Sequence, residues 1–213
     1  MSRPAPALAR ALVTASALAA LLGAAPAPAD ECDADVAVWI GGSFAFLHDP
    51  DNWSTGVVPG PDTTIVFEDP GPSVVLLGGD DLAVGRMILR GGPVTLEADG
   101  ALLSVSTKDG DAPVDCPAVL VGGPSPAALD LEFNFPDSRS FEAESLVLGT
   151  ADGIGWLLGF VLFTEAAVED RLVVGGADLG LVDRLERLTA GSLVVGQGAD
   201  GRVELVRSLE VAG

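Results

Sequence analysis

Three pairs of aspartates stand close enough along the chain to share a cation: Asp49 with Asp51, Asp80 with Asp81, and Asp109 with Asp111. Calcium takes carboxylate and carbonyl oxygens as ligands, and acidic turns supply both. None of the pairs fits the EF-hand pattern, and the glycine-rich nonapeptide calcium repeat is absent. Calcium is therefore an open candidate at these six residues, with solvated turn acids as the default. Paired carboxylates also perform the acid and base steps of glycoside cleavage. With 31 acidic residues in the chain, such pairs arise by number alone.

The remaining chemical vocabulary is thin. His48 is the one histidine, and no G-x-S-x-G elbow supplies a nucleophile for it, so an exposed turn histidine is the expected role. The run Gly196-Gln197-Gly198-Ala199-Asp200-Gly201 matches G-x-G-x-x-G. It is followed by the alternation Arg202-Val203-Glu204-Leu205-Val206, a strand pattern, where a phosphate-binding loop needs a helix. Two cysteines and one histidine are too few for a zinc site. Cys32 and Cys116 either pair or remain two thiols; a bridge would close a loop of about 85 residues and contribute about 4 kcal/mol through chain entropy. No catalytic or cofactor-binding residue is assigned.

The elements that position these residues begin with an export signal. Arg3 and Arg10 give a positive start, residues 11–22 are apolar and uncharged, and Ala27-Pro28-Ala29 places small residues before Asp30. The apolar stretch is short for a membrane span. Removal of residues 1–29 takes away two arginines and no acid, so the exported chain is more acidic than the −20 of the whole. That charge repels nucleic acid. In an oxidising compartment the two cysteines would be expected to pair. A single lysine, Lys108, among abundant Arg, Ala, Gly, Val and Asp suggests a GC-rich bacterial source.

Residues 39–67 read WIGGSFAFLHDPDNWSTGVVPGPDTTIVF. Pro59-Gly60-Pro61-Asp62 is a turn cluster, and the following alternation is a half-buried strand. Trp39 and Trp53 are expected as apolar plugs over an open core end. Asn52-Trp53-Ser54 also matches a glycosylation acceptor, with a turn as the stronger reading. The pattern W-x-G-G, D-P-x-N-W-S-x-G-x-x-P-G-x-x-D resembles the opening of secreted bacterial parallel β-helix repeat proteins, autotransporter passenger-like and surface-sorted proteins among them. The resemblance covers about 30 residues and implies the N-terminal start of a β-solenoid. It brings no catalytic residues with it.

Beyond residue 70 a short unit recurs: Leu82-Ala83-Val84-Gly85, Val119-Leu120-Val121-Gly122, Leu146-Val147-Leu148-Gly149, Leu172-Val173-Val174-Gly175 and Leu193-Val194-Val195-Gly196, then a degenerate Leu209-Glu210-Val211-Ala212. A strand-turn unit of this size buries its apolar side only by stacking on copies of itself. The expected fold is all-β, a right-handed parallel β-helix, with an antiparallel β-sandwich or jelly roll as the alternative. Residues 1–29 are read as signal peptide, 30–61 as a capping segment and 62–213 as solenoid repeats, incomplete at the C-terminus or continued through association. First and third positions of each unit, such as Leu146 with Leu148 and Leu193 with Val195, should point inward, and the glycine should form a corner. The middle positions Ala83, Leu120, Val147, Val173 and Val194 should form an outer apolar ladder, covered by residues 154–163 or by a protein partner.

Repeats, export and a poor catalytic vocabulary together favour a noncatalytic extracellular or cell-surface protein of structural or adhesion type. A polysaccharide-acting β-helix enzyme is the alternative, recognisable by carboxylates converging in a groove. A carbohydrate-binding sandwich is the third reading, disfavoured by 5% aromatic content. Cleavage before Asp30 is expected, so the intact mass of protein recovered outside a secreting host should start at that residue; a soluble cytoplasmic product retaining residues 1–29 refutes it.

Overall fold

The computed structural model describes residues 35–69, 71–107, 116–122, 127–133, 141–149, 153–159, 165–175, 180–183, 187–196, 201–203 and 208–211. These hold strands and one short 3-10 turn, Pro50–Asn52, with no α-helix among the described residues. The chain runs through β1 (Asp35–Val38), β2 (Ala45–Phe46), β3 (Thr63–Phe67), β4 (Ser73–Gly78), β5 (Leu82–Val84) and β6 (Arg86–Leu89). It continues through β7 (Val94–Ala98), β8 (Leu103–Val105), β9 (Val119–Val121), β10 (Ala127–Phe133), β11 (Phe141–Leu148) and β12 (Gly155–Gly159). The last strands are β13 (Glu165–Val174), β14 (Gly180–Asp183), β15 (Arg187–Val195), β16 (Gly201–Val203) and β17 (Ser208–Val211).

All pairings between these strands are parallel, which makes the fold a β-solenoid and removes the antiparallel sandwich. The strands stack in three columns. Column I holds β5, β8, the first halves of β11, β13 and β15, and β17. Column II holds β1, β3, β6, β9 and the second halves of β11, β13 and β15. Column III is the seven-stranded sheet from β2 to β16. A full coil visits the columns in the order I, II, III. A period of 21 residues recurs where Ala83 pairs with Ser104, Val173 with Val194 and Thr189 with Glu210.

Within a long strand, columns I and II meet at a bulge. Along β11 the inward residues are Phe141 and Ala143, then Leu146 and Leu148, all fully buried, and the two outward residues Glu144 and Ser145 stand together between them. The register with β13 shifts at that point. A bulge of this kind bends the strand, so one strand can line two sides of the core. The repeat is therefore two apolar-x-apolar halves separated by two or three polar or small residues, closed by glycine.

This corrects the alignment of the first and last units. Leu82-Ala83-Val84 pairs with Leu103-Ser104-Val105, and Leu209-Glu210-Val211 pairs with Leu188-Thr189-Ala190, so both belong to column I. The true column II partner in the first of these coils is Met87-Ile88-Leu89. Both halves share one pattern because both bury alternate residues. Corner geometry separates them: Gly149, Gly175 and Gly196 take φ of 78°, 78° and 71°, the left-handed region that glycine enters without steric cost. Glycine recurs for another reason where column III opens, since a Cβ on Gly155 or Gly201 would stand 1.8 or 2.1 Å from a backbone carbonyl oxygen of the rung below.

One apolar cluster joins all three columns from Ala37 and Trp53 to Leu188 and Ala190. Leu193 packs on it, but Val195 is 46% exposed, contrary to expectation, because among the described residues β17 covers only the first half of β15. The outer row of column II is longer than the sequence suggested: Val38, Val66, Ile88, Leu120, Val147, Val173 and Val194 stand in register. Ala83 is not part of it. Of the segment 154–163 expected to cover it, Gly155–Gly159 is β12, a rung of column III between β10 and β14, and residues 160–163 lie outside the described residues. Val66, Ile88 and Val173 are 3%, 6% and 4% exposed without belonging to the core cluster. Neighbours about 4.8 Å above and below in the stack remove much of their surface.

The N-terminal end is closed by residues 39–62. Ser54 lies along the free edge of β1, its N–H donating to the Val38 carbonyl and its Oγ accepting from the Val38 N–H, each at 2.9 Å. Trp39 and Trp53 form an isolated antiparallel bridge with ring centroids 5.1 Å apart, edge to face, and both stack against Phe67. Trp53 is 1% exposed, and its Nε1–H donates to the Leu47 carbonyl at 2.8 Å. The tryptophans are plugs, and Ser54 satisfies the edge of β1 at Val38. Replacement Trp53→Ala should cost about 3–5 kcal/mol, and Gly175→Ala about 1–2 kcal/mol for a left-handed residue. Val195→Ala should change little; urea unfolding of the three variants checks this order.

Candidate functional site

The outward row of column I runs Glu142, Ala167, Thr189, Glu210 on successive rungs. Glu169 stands on the rung next to Glu142, exposed at the β13 bulge. These residues line an open groove of about 410 Å³, floored by Ala167 and Ala190. Small side chains between acids create the depression: alanine and threonine fill less of the sheet surface than the glutamates at its rim. Among the described residues, this groove gathers three carboxylates, as a glycan-cleaving reading requires. Sequence pairing of acids pointed elsewhere, because these three come from three different coils.

Spacing decides what the groove can do. Parallel rungs repeat at about 4.8 Å, which puts the Glu142 and Glu210 backbones about 14 Å apart. Glycosidase carboxylates stand about 5–10 Å apart across one bond. Glu142 and Glu169 are each already engaged by a partner. The row suits contact with an extended hydroxyl-bearing or cationic chain lying along the stack, with acids met at intervals, better than attack on a single bond.

A second polar cluster surrounds the insertion between β8 and β9. Glu144 Oε2 accepts from the Thr107 N–H at 2.8 Å and from its hydroxyl at 2.5 Å, and Ser145 Oγ accepts from the Ala118 N–H at 2.9 Å. From the rung below, Arg86 Nε donates to the Pro117 carbonyl at 3.1 Å, and Arg86 is only 3% exposed. The two outward residues of the β11 bulge thus hold both roots of the insertion. A buried guanidinium must be paired to be tolerated, and Arg86 is. Sequence reading missed Arg86, Glu144 and Ser145; the signal was the doubled polar pair inside Phe-x-Ala-x-x-Leu-x-Leu.

Four of the six calcium candidates, Asp49, Asp51, Asp80 and Asp81, lie among the described residues. Asp49 Oδ1 accepts from the Asp51 N–H at 3.0 Å, capping the 3-10 turn. Asp81 Oδ1 accepts from the Leu102 N–H at 2.8 Å, beside Asp80 on the turn from β4 to β5. Asp109 and Asp111 lie outside the described residues. Among the described residues no group of three or more His, Cys, Asp or Glu side chains is placed to hold a metal ion. The glycine run at 196–201 leads into the strand β16, where a phosphate-binding loop needs a helix.

His48 is not a free turn residue. Its ring is half-buried and contacts the carbonyls of Leu77 and Asp81. Cys116 is buried and disulfide-bonded, while Cys32 lies outside the described residues. No helix among the described residues is long and apolar enough to cross a membrane. Comparison with family models, curated proteins and solved structures finds no match to this chain.

The chain holds two cysteines, so the expected partner of Cys116 is Cys32. Denatured, nonreduced protein should take up no thiol reagent, and reduction should expose two thiols; two alkylated cysteines before reduction would refute the pairing.

Proposed function

We propose that this protein is a noncatalytic structural or adhesion-type component of the bacterial cell surface or extracellular space. The observation that supports the reading best is the row itself: Glu142 and Glu210 are set three rungs apart, farther than carboxylates that act across one bond, and Glu142 and Glu169 on neighbouring rungs both have partners. The inward residues from Ala37 to Ala190 form one continuous core, as a stiff rod closed at its N-terminal end requires. Export by residues 1–29 and the resemblance of residues 39–67 to secreted β-helix repeat proteins point the same way. The alternative, a polysaccharide-acting β-helix enzyme, draws on the presence of Glu142, Glu169 and Glu210 in one groove. Carbohydrate could also be held there without being cut, and the outer row of column II is the apolar face that a protein partner would meet.

The two readings separate in one experiment. Purified protein is incubated with neutral and acidic polysaccharides and assayed for new reducing ends, beside the variant Glu142→Gln, Glu169→Gln, Glu210→Gln. No release by the wild type supports the structural reading. Release that falls by about a thousandfold or more in the variant, the usual consequence of losing an essential acid or base, overturns it.

A further inference from the structure

Among the described residues eight large apolar side chains are exposed, and all of them belong to the two ends of the stack. Val36, Ile40, Phe44, Phe46 and Val57 lie on β1, on β2 or in the cap beside them, at the head. Val195, Leu209 and Val211 lie on β15 and β17, at the tail. The tail residues stand in inward rows: Val195 follows Leu148 and Val174 in register, and Leu209 and Val211 follow Leu188 and Ala190. They are bare because no described strand is stacked on them, so the tail presents a cross-section of the core. At the head the exposure has another origin. Phe44 is 67% exposed and takes φ of 62°, the one non-glycine residue with positive φ among the described residues. Its N–H donates to the Val74 carbonyl at 2.7 Å, which holds the backbone to β4. A bulky side chain in the left-handed region is strained, and an exposed ring gives nothing back to the core. Strain joined to exposure is a cost to the isolated chain that a contact surface offsets.

Charge is divided along the same axis. Residues 35–85 hold eight acids and no lysine or arginine, and Asp35, Asp49 and Asp51 are exposed at the head. Residues 171–211 hold five arginines against six acids. Arg187 on β15, Arg202 on β16 and Arg207 just before β17 belong to the last rungs. Two heads therefore repel each other, and a head and a tail attract. Tail-to-tail contact would leave all five apolar residues of the head in water; head-to-tail contact covers both sets at once.

We infer that this chain assembles end to end with copies of itself, the cap of one molecule seated on the last rungs of the next, into an unbranched filament. Head and tail are different surfaces, so the contact is heterologous and propagates along the axis. The formal charge of −20 on every copy opposes association flank to flank. Each added molecule covers Val195, Leu209 and Val211 of the one before it. The assembly draws on the end faces and not on the groove of Glu142 and Glu210, so it can fail while the structural reading of the protein stands.

Sedimentation velocity of the purified chain, its disulfide intact, should show a mass that rises with concentration past the dimer. The head variant Phe44→Asn, Val57→Ser removes two apolar contacts, and asparagine enters the left-handed region more readily than phenylalanine. It should melt no lower than the wild type while associating about tenfold more weakly or worse. The tail variant Val195→Glu, Val211→Glu sets acids against the acidic head and should also stay monomeric. An equal mixture of the two variants should form dimers and stop there, because one brings an intact tail and the other an intact head. A wild type that remains monomeric up to millimolar concentration, or that stops at the dimer, overturns the proposal, and that reading depends on no variant folding. A head variant that dimerises by itself, or a mixture no larger than its parts, overturns it as well.

Discussion

Everything in this molecule depends on one constraint: a parallel strand of three to five residues cannot bury its apolar side or satisfy its backbone without an identical neighbour above and below. Antiparallel hairpins meet that need locally, but parallel rungs meet it only through a return of the chain, here repeatedly after 21 residues. The return fixes the positions of the inward rows. It also makes the inside a column, so that Leu146, Leu172 and Leu193 are one structural position seen on three rungs.

Ends and insertions are where a repeating stack must depart from its own rule. At the N-terminal end the departure is residues 39–62, which replace a column I rung with two tryptophans, a 3-10 turn and side-chain bonds to the β1 edge. Between β8 and β9 the coil admits extra residues at the bulge where two columns meet. There the outward side chains of Glu144 and Ser145 are free of the core and can hold the insertion at its roots. At the bulge the register has already shifted, so no ladder is broken there.

The same geometry governs the outer surfaces. Side chains that repeat at about 4.8 Å along a column shield one another, so Val66, Ile88 and Val173 are as buried as core residues on a face that points away from the core. Acids placed on such a row are held apart by whole rungs. The surface of this solenoid is better suited to extended contact than to the convergence of groups that catalysis needs.

The sequence by itself determined the class of structure. Alternating Leu, Val and Ala with a glycine at the end of each unit states which side of a strand is buried and where the chain turns, because side-chain alternation and left-handed φ are local properties. The plugs Trp39 and Trp53 were legible for the same reason, as large apolar residues in a turn-rich segment ahead of the repeat. Only the tertiary structure decided which column each unit occupies. Leu82-Ala83-Val84 and Leu146-Val147-Leu148 carry the same local instruction, and the bulge between columns is marked by nothing stronger than two outward residues in a row. The groove of Glu142, Glu169 and Glu210, the grip of Arg86 on Pro117, and the two carbonyls that meet His48 were equally hidden. Each joins residues more than 20 positions apart in the chain, and the distance between such residues is set by how many rungs separate them, a quantity that exists only once the stack has formed.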